Sequence, residues 1–134
     1  VYTYLRNWRK DGTWRRIHDQ LREWTRVSEL HAASPSELII DSQSAKSVAM
    51  LSQAIGYDAG KQVKGRKRFI IVDTLGLILR VIVTAANVPE RAGVKQVLKQ
   101  VKDMGEKVSR VHTVWADGGF SGVPFLQWVM DICH

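Results

Sequence analysis

Two apolar runs that each stop at an aspartate constrain this chain more than any other feature. Leu38-Ile39-Ile40 runs into Asp41, and Val114-Trp115-Ala116 runs into Asp117. Short apolar runs of this kind read as strands. Between them lie two further β-rich runs, residues 67–74 and 77–85, with hairpin spacing at Leu75-Gly76. A helical pattern follows from about Pro89 to Met104, with Val94, Val97, Leu98, Val101 and Met104 as its buried stripe. A parallel pair of strands needs a crossover, and this helix supplies one. If the two aspartate-ending strands are neighbours, the hairpin sits on the far side of the first. Both carboxylates then leave the same edge of the sheet, where ligands bind in open α/β folds.

The rest of the chain fits a single core with an added helical segment. Residues 1–34 read as helical, with Trp14, Ile17, Leu21 and Trp24 on one stripe. Ser34-Pro35-Ser36 breaks that pattern, so the boundary is placed at residue 34. Residues 44–66 are weakly patterned and read as a long loop, with a helical turn near Ala49 to Ala54. A glycine turn, Gly118-Gly119-Phe120-Ser121-Gly122, leads into a last helix bearing Phe125, Trp128, Val129 and Ile132. The expected order is a helical segment, then β-β-β-α-β-α.

Charge narrows the partners. Twenty Lys and Arg against 13 Asp and Glu give a net +7, a balance that favours polyanions such as nucleic acid. Five of the eight residues in Lys61-Gln62-Val63-Lys64-Gly65-Arg66-Lys67-Arg68 are basic. Lys61, Lys64, Arg66, Lys67 and Arg68 are therefore candidates for phosphate contact. The same run also serves as a charged guard beside the apolar strand Phe69-Ile70-Ile71-Val72.

Asp41 and Asp117 are oxygen-only ligands suited to Mg²⁺ or Mn²⁺. Turn capping is the competing role for both. Asp73 reads as the start of a hairpin turn. One cysteine, Cys133, excludes an internal disulfide and fits a reducing cytoplasm. Four scattered histidines give no zinc spacing. No apolar run approaches membrane-spanning length, so no membrane partner is expected. The glycine turn lacks a dinucleotide-binding fingerprint, and Ser42 and Ser44 have no histidine at a hydrolase spacing.

Four segments in order, Ile39-Ile40-Asp41-Ser42-Gln43-Ser44-Ala45-Lys46, Gly60 to Arg68, Val72-Asp73-Thr74-Leu75-Gly76-Leu77 and Trp115 to Gly122, resemble the DDE transposases of bacterial insertion sequences. The likeness is nearest to the insertion sequence four/five-like group. It implies an α/β, RNase H-like mixed sheet that cuts and joins DNA with divalent metal. Asp41 and Asp117 match the first two catalytic acids of that family. Residues 1–34 match the tail of an N-terminal DNA-binding region, and 35–134 a partial catalytic core. The family's third acid, a glutamate on a later helix, has no match within these 134 residues.

A fifth strand and the last catalytic helix are likewise expected to be missing, leaving residues 111–116 as an open edge. The implied partners are element-end and target DNA, with a homo-oligomer in the full-length form. The alternatives are a non-catalytic DNA-binding remnant and an RNase H-like nuclease that does not join strands.

Overall fold

The computed structural model describes residues 1–46, 55–117 and 127–131. The chain divides into two compact units, Val1–Ser34 and Pro35–His134.

The first unit is a helix pair, α1 (Tyr2–Lys10) and α2 (Thr13–Ser28). Gly12 joins them at φ 78°, a left-handed conformation that only glycine adopts cheaply. Asp11 stabilises the start of α2 by accepting the Thr13 backbone N–H at 2.9 Å. Trp8 and Trp14 meet edge to face across the turn, with centroids 5.3 Å apart. The two faces of α2 differ as the periodicity predicts, but their environments are inverted. Ile17, Leu21 and Trp24 are exposed, while Asp19, Arg22 and Arg26 are buried. The Arg26 guanidinium is held locally by the Ala32 carbonyl at 2.8 Å.

The second unit is a mixed sheet with one helix packed on it. Its strands are β1 (Glu37–Lys46), β2 (Gly56–Asp58), β3 (Val63–Asp73), β4 (Ile78–Ala85) and β5 (Thr113–Ala116). Helix α3 (Glu90–Lys102) connects β4 to β5. β3 is central and antiparallel to β1, β2 and β4. β2 and β4 share one flank of β3, and β1 takes the other. β5 lies beyond β1 and parallel to it.

Alternation along β3 separates the two faces. Phe69 and Ile71 are fully buried, whereas Lys64 and Arg68 are exposed. The buried set joins Leu38 and Ile40 of β1, Leu79 of β4, and Val94, Val97, Leu98 and Val101 of α3 in one core. The opposite face exposes Ile39, Val81, Val83 and Trp115.

Two expectations are overturned. The sheet was expected to lack a fifth strand and the chain a closing helix. Five strands are present, and residues 127–131 are helical after β5, with Trp128 and Val129 packed against the core. Residues 44–66 were expected to be a loop. Instead β1 runs on to Lys46, β2 follows, and β3 begins at Val63. β2 is three residues long, too short to show alternation, and its pairing with residues 63–65 of β3 defines it. Gln62, at φ 52°, turns the chain between β2 and β3. The expected helical turn near 49–54 and the glycine turn 118–122 lie outside the described residues.

Asp73 is fully buried in the role expected of it. Its Oδ1 accepts the backbone N–H groups of Leu75 and Leu77 at 2.9 and 3.0 Å, and Gly76 completes the turn at φ 77°.

Helix α3 reaches the sheet through Gly93. A Cβ at that position would lie 2.1 Å from the Cε2 and Cζ atoms of Phe69. The ring is fully enclosed and has no free volume to enter. Gly93→Ala gains roughly 1 kcal/mol of helix propensity but forces α3 off the sheet, an overpacking cost of roughly 1–3 kcal/mol. A net loss is expected in urea unfolding. Phe69→Leu in the same chain should recover part of it, because the two residues share one contact.

Candidate active site

The two predicted acids follow neighbouring positions of adjacent parallel strands. The last described pair of the parallel ladder is Ile40↔Ala116, and Asp41 and Asp117 are the next residue on each chain. Neighbouring strands lie about 4.8 Å apart, and paired residues project to the same face. Ile40 is buried against α3, so Asp41 points the other way, as Ile39 does. Asp117 follows Trp115 by two residues and is the first residue after β5. Asp41 and Asp117 are both exposed. Asp41, however, lies midway along β1, which continues to Lys46 through its pairing with β3, so the expectation that Asp41 ends its strand is corrected.

The Ser42 backbone N–H donates to Asp41 Oδ1 at 2.8 Å. No lysine or arginine among the described residues forms an ion pair with either acid. The donor set is hard oxygen only, which fits Mg²⁺ or Mn²⁺. The described residues hold no group of three or more His, Cys, Asp or Glu able to bind a metal.

The basic run divides by parity. Arg68 and Arg66 lie opposite Gln43 and Ala45 of β1, on the same open face as Asp41. Arg68 Nη2 donates to Gln43 Oε1 at 2.5 Å. Lys64, next in that alternation, is exposed. Lys67 projects to the α3 side and is 4% exposed. Its ammonium lies 3.1 Å from Asp58 Oδ2 and 3.3 Å from Glu90 Oε1, and donates to the Val88 carbonyl at 3.3 Å. Lys61 sits in the β2–β3 turn. Its Nζ donates to the Ser42 carbonyl at 3.2 Å and lies 3.7 Å from Glu90 Oε1.

The sequence reading did not single out Asp58 or Glu90. Asp58 also accepts the Lys61 backbone N–H at 3.1 Å and the Ser44 hydroxyl at 2.9 Å. These bonds, the Lys61 N–H first and the Lys67 ammonium next, hold its carboxyl down at about 2.

The profile of the transposase DDE domain family matches residues 32–131. The chain belongs to that family. The match spans the whole sheet, α3 and both aspartates, Asp41 and Asp117. Comparisons with curated proteins and with solved structures returned no similar protein. The specific insertion-sequence group is not distinguished by a family-level match. No helix among the described residues of this DDE domain is long and apolar enough to cross a membrane.

Proposed function

We propose that this DDE domain cleaves DNA strands and transfers them, as a transposase of the insertion sequence four/five-like group. Asp41 and Asp117 serve as its metal ligands. The observation that supports this reading is the parallel pairing of β1 with β5, whose last described pair, Ile40↔Ala116, is followed on each strand by an aspartate. When bound there, Mg²⁺ or Mn²⁺ supplies Lewis-acid polarisation and a water or 3′-hydroxyl of lowered pKa.

The chain's own residues do the positioning. The two carboxylates fix where the cation is held. Arg66, Arg68 and Lys64 contact the phosphate backbone from the neighbouring strand, and Lys61 supports the chain just after Asp41 through the Ser42 carbonyl. Lys67 is left out of the DNA contacts because its charge is spent within the protein.

In this reading residues 35–134 are catalytic core and 1–34 are the tail of a DNA-binding region. The substrates are element ends and target DNA in the cytoplasm, and the full-length protein works as a homo-oligomer.

The deciding experiment incubates the protein with supercoiled and end-labelled DNA in Mg²⁺ or Mn²⁺. Nicking or joining that EDTA stops is the expected result. Salt-sensitive binding with no strand breakage in either metal supports the second reading, a DNA-binding protein without chemistry. The lack of a third ligand among the described residues favours that alternative. Binding alone gives a further prediction. Arg66→Ala and Arg68→Ala should each lower duplex affinity and reduce the slope of log K against log salt by about 1.

A further inference from the structure

The open face of the sheet changes character in steps along β1. At the level of Ile39 the row reads Val72, Ile39 and Trp115, all apolar or aromatic. Two residues on, it reads Ile70 and Asp41, and Asp117 is the residue that follows β5. The next two rows are Arg68 with Gln43, then Arg66 with Ala45. Each step is about 6.6 Å, two strand residues at roughly 3.3 Å each. Aromatic, carboxylate and guanidinium rows thus follow one another across about 13 Å.

Trp115 is the unusual member. It is 56% exposed, the most exposed tryptophan of the sheet unit among the described residues. Its indole N–H, the ring's single polar group, donates to Glu37 Oε2 at 2.6 Å. That bond fixes the ring's edge and leaves its face wet and apolar. A pre-oriented aromatic surface loses little side-chain entropy when something stacks on it.

We infer that Trp115 is a stacking platform for an unpaired nucleobase, lying next to the Asp41–Asp117 pair. This rests on the proposed function only for the identity of the ligand as DNA. A single strand offers an alternation of anionic phosphates and flat apolar bases, and this face offers the complementary sequence of groups. Phosphates are drawn to Arg66 and Arg68. The base on the other side of the carboxylates meets Trp115 and Ile39. Stacking tolerates any base, so the contact sets position rather than sequence. A paired base inside a duplex cannot stack this way, so the contact selects frayed or melted ends.

The test is binding of single-stranded oligothymidine in EDTA, read by fluorescence anisotropy over a salt series, so that no cleavage is needed. Trp115→Ala should weaken binding by about 5- to 150-fold. Trp115→Phe should keep most of it, and both should leave the salt slope and the melting temperature unchanged. Blunt duplex binding should change little. Unaltered oligothymidine affinity in Trp115→Ala overturns the inference, and so does a loss accompanied by a reduced salt slope.

A second measurement uses the unmodified chain. An oligonucleotide carrying 5-iodouracil should photocrosslink to the peptide containing Trp115, and crosslinks found elsewhere only would sink the idea. The strand-breakage assay is separate, so loss of catalysis with intact stacking refutes the proposed reaction and not this site.

Discussion

Asp41→Asn and Asp117→Asn should each abolish cation-dependent strand breakage, a fall of at least about a thousandfold. Asparagine keeps the shape of aspartate but removes the negative charge and one anionic oxygen. The Lewis-acid contribution of a bound cation is worth several kcal/mol, and each 1.36 kcal/mol is a factor of ten in rate. Because both acids act on the same cation, the double variant should be no worse than either single one. Mn²⁺ affinity measured by calorimetry should fall in parallel.

Folding should be nearly untouched. Both residues are exposed, and the Asp41 carboxylate makes a local bond to the Ser42 N–H that asparagine can also accept. A stability change within about 0.5 kcal/mol is expected. Wild-type cleavage rates in either variant would remove that residue from the site. Loss of cleavage with unchanged Mn²⁺ affinity would separate the acids from metal binding.

What could be seen beforehand follows from how each signal is encoded. The two apolar runs that became β1 and β5 were legible because an apolar run is visible residue by residue. The end of β1 was not: it continues past Asp41 to Lys46 because β3 pairs with it that far. The helix between the two runs also announced the crossover. Asp73 was legible for the same local reason, since a turn made by Asp73-Thr74-Leu75-Gly76 needs no distant partner. β2 was not legible. Gly56-Tyr57-Asp58 has no pattern of its own and becomes a strand only by pairing with β3.

The fate of α2 shows a different limit. Periodicity reveals that a helix has two faces and says nothing about what meets them. The apolar stripe at Ile17, Leu21 and Trp24 is the exposed one. Lys67 combines both problems. Its charge grouped it with Lys64, Arg66 and Arg68, yet its parity is that of Phe69 and Ile71. Once β3 is known to begin at Val63, alternation alone sends it inward.

Lys67→Met should cost roughly 3–5 kcal/mol in urea unfolding, the expected penalty for stripping one partner from a buried ion pair. The ammonium lies within 3.3 Å of oxygens from Asp58 of β2, Glu90 of α3 and the Val88 carbonyl. Methionine fills the volume but leaves the Asp58 carboxylate enclosed, with only the Lys61 N–H and Ser44 hydroxyl to hold it. Adding Asp58→Leu should return a large part of the loss, because an apolar pair avoids the desolvation cost of both charges.

The same carboxylate dictates an acid dependence. Its pKa is about 2 in the folded chain against 3.8 for the ordinary group, so the unfolded chain binds more protons between those values. Stability from Asp58 is therefore fully present above about pH 4 to 5 and is lost as pH falls through 4 toward 2. Asp58→Asn should flatten that part of the stability profile. DNA binding supplies the contrast. Lys67→Met, studied where it remains folded, should leave the salt slope of duplex binding as it is, whereas Arg66→Ala and Arg68→Ala reduce it. A slope reduced by about 1 in Lys67→Met would instead return this lysine to the phosphate contacts. It would also mean that the latch between β2, β3 and α3 opens when DNA binds.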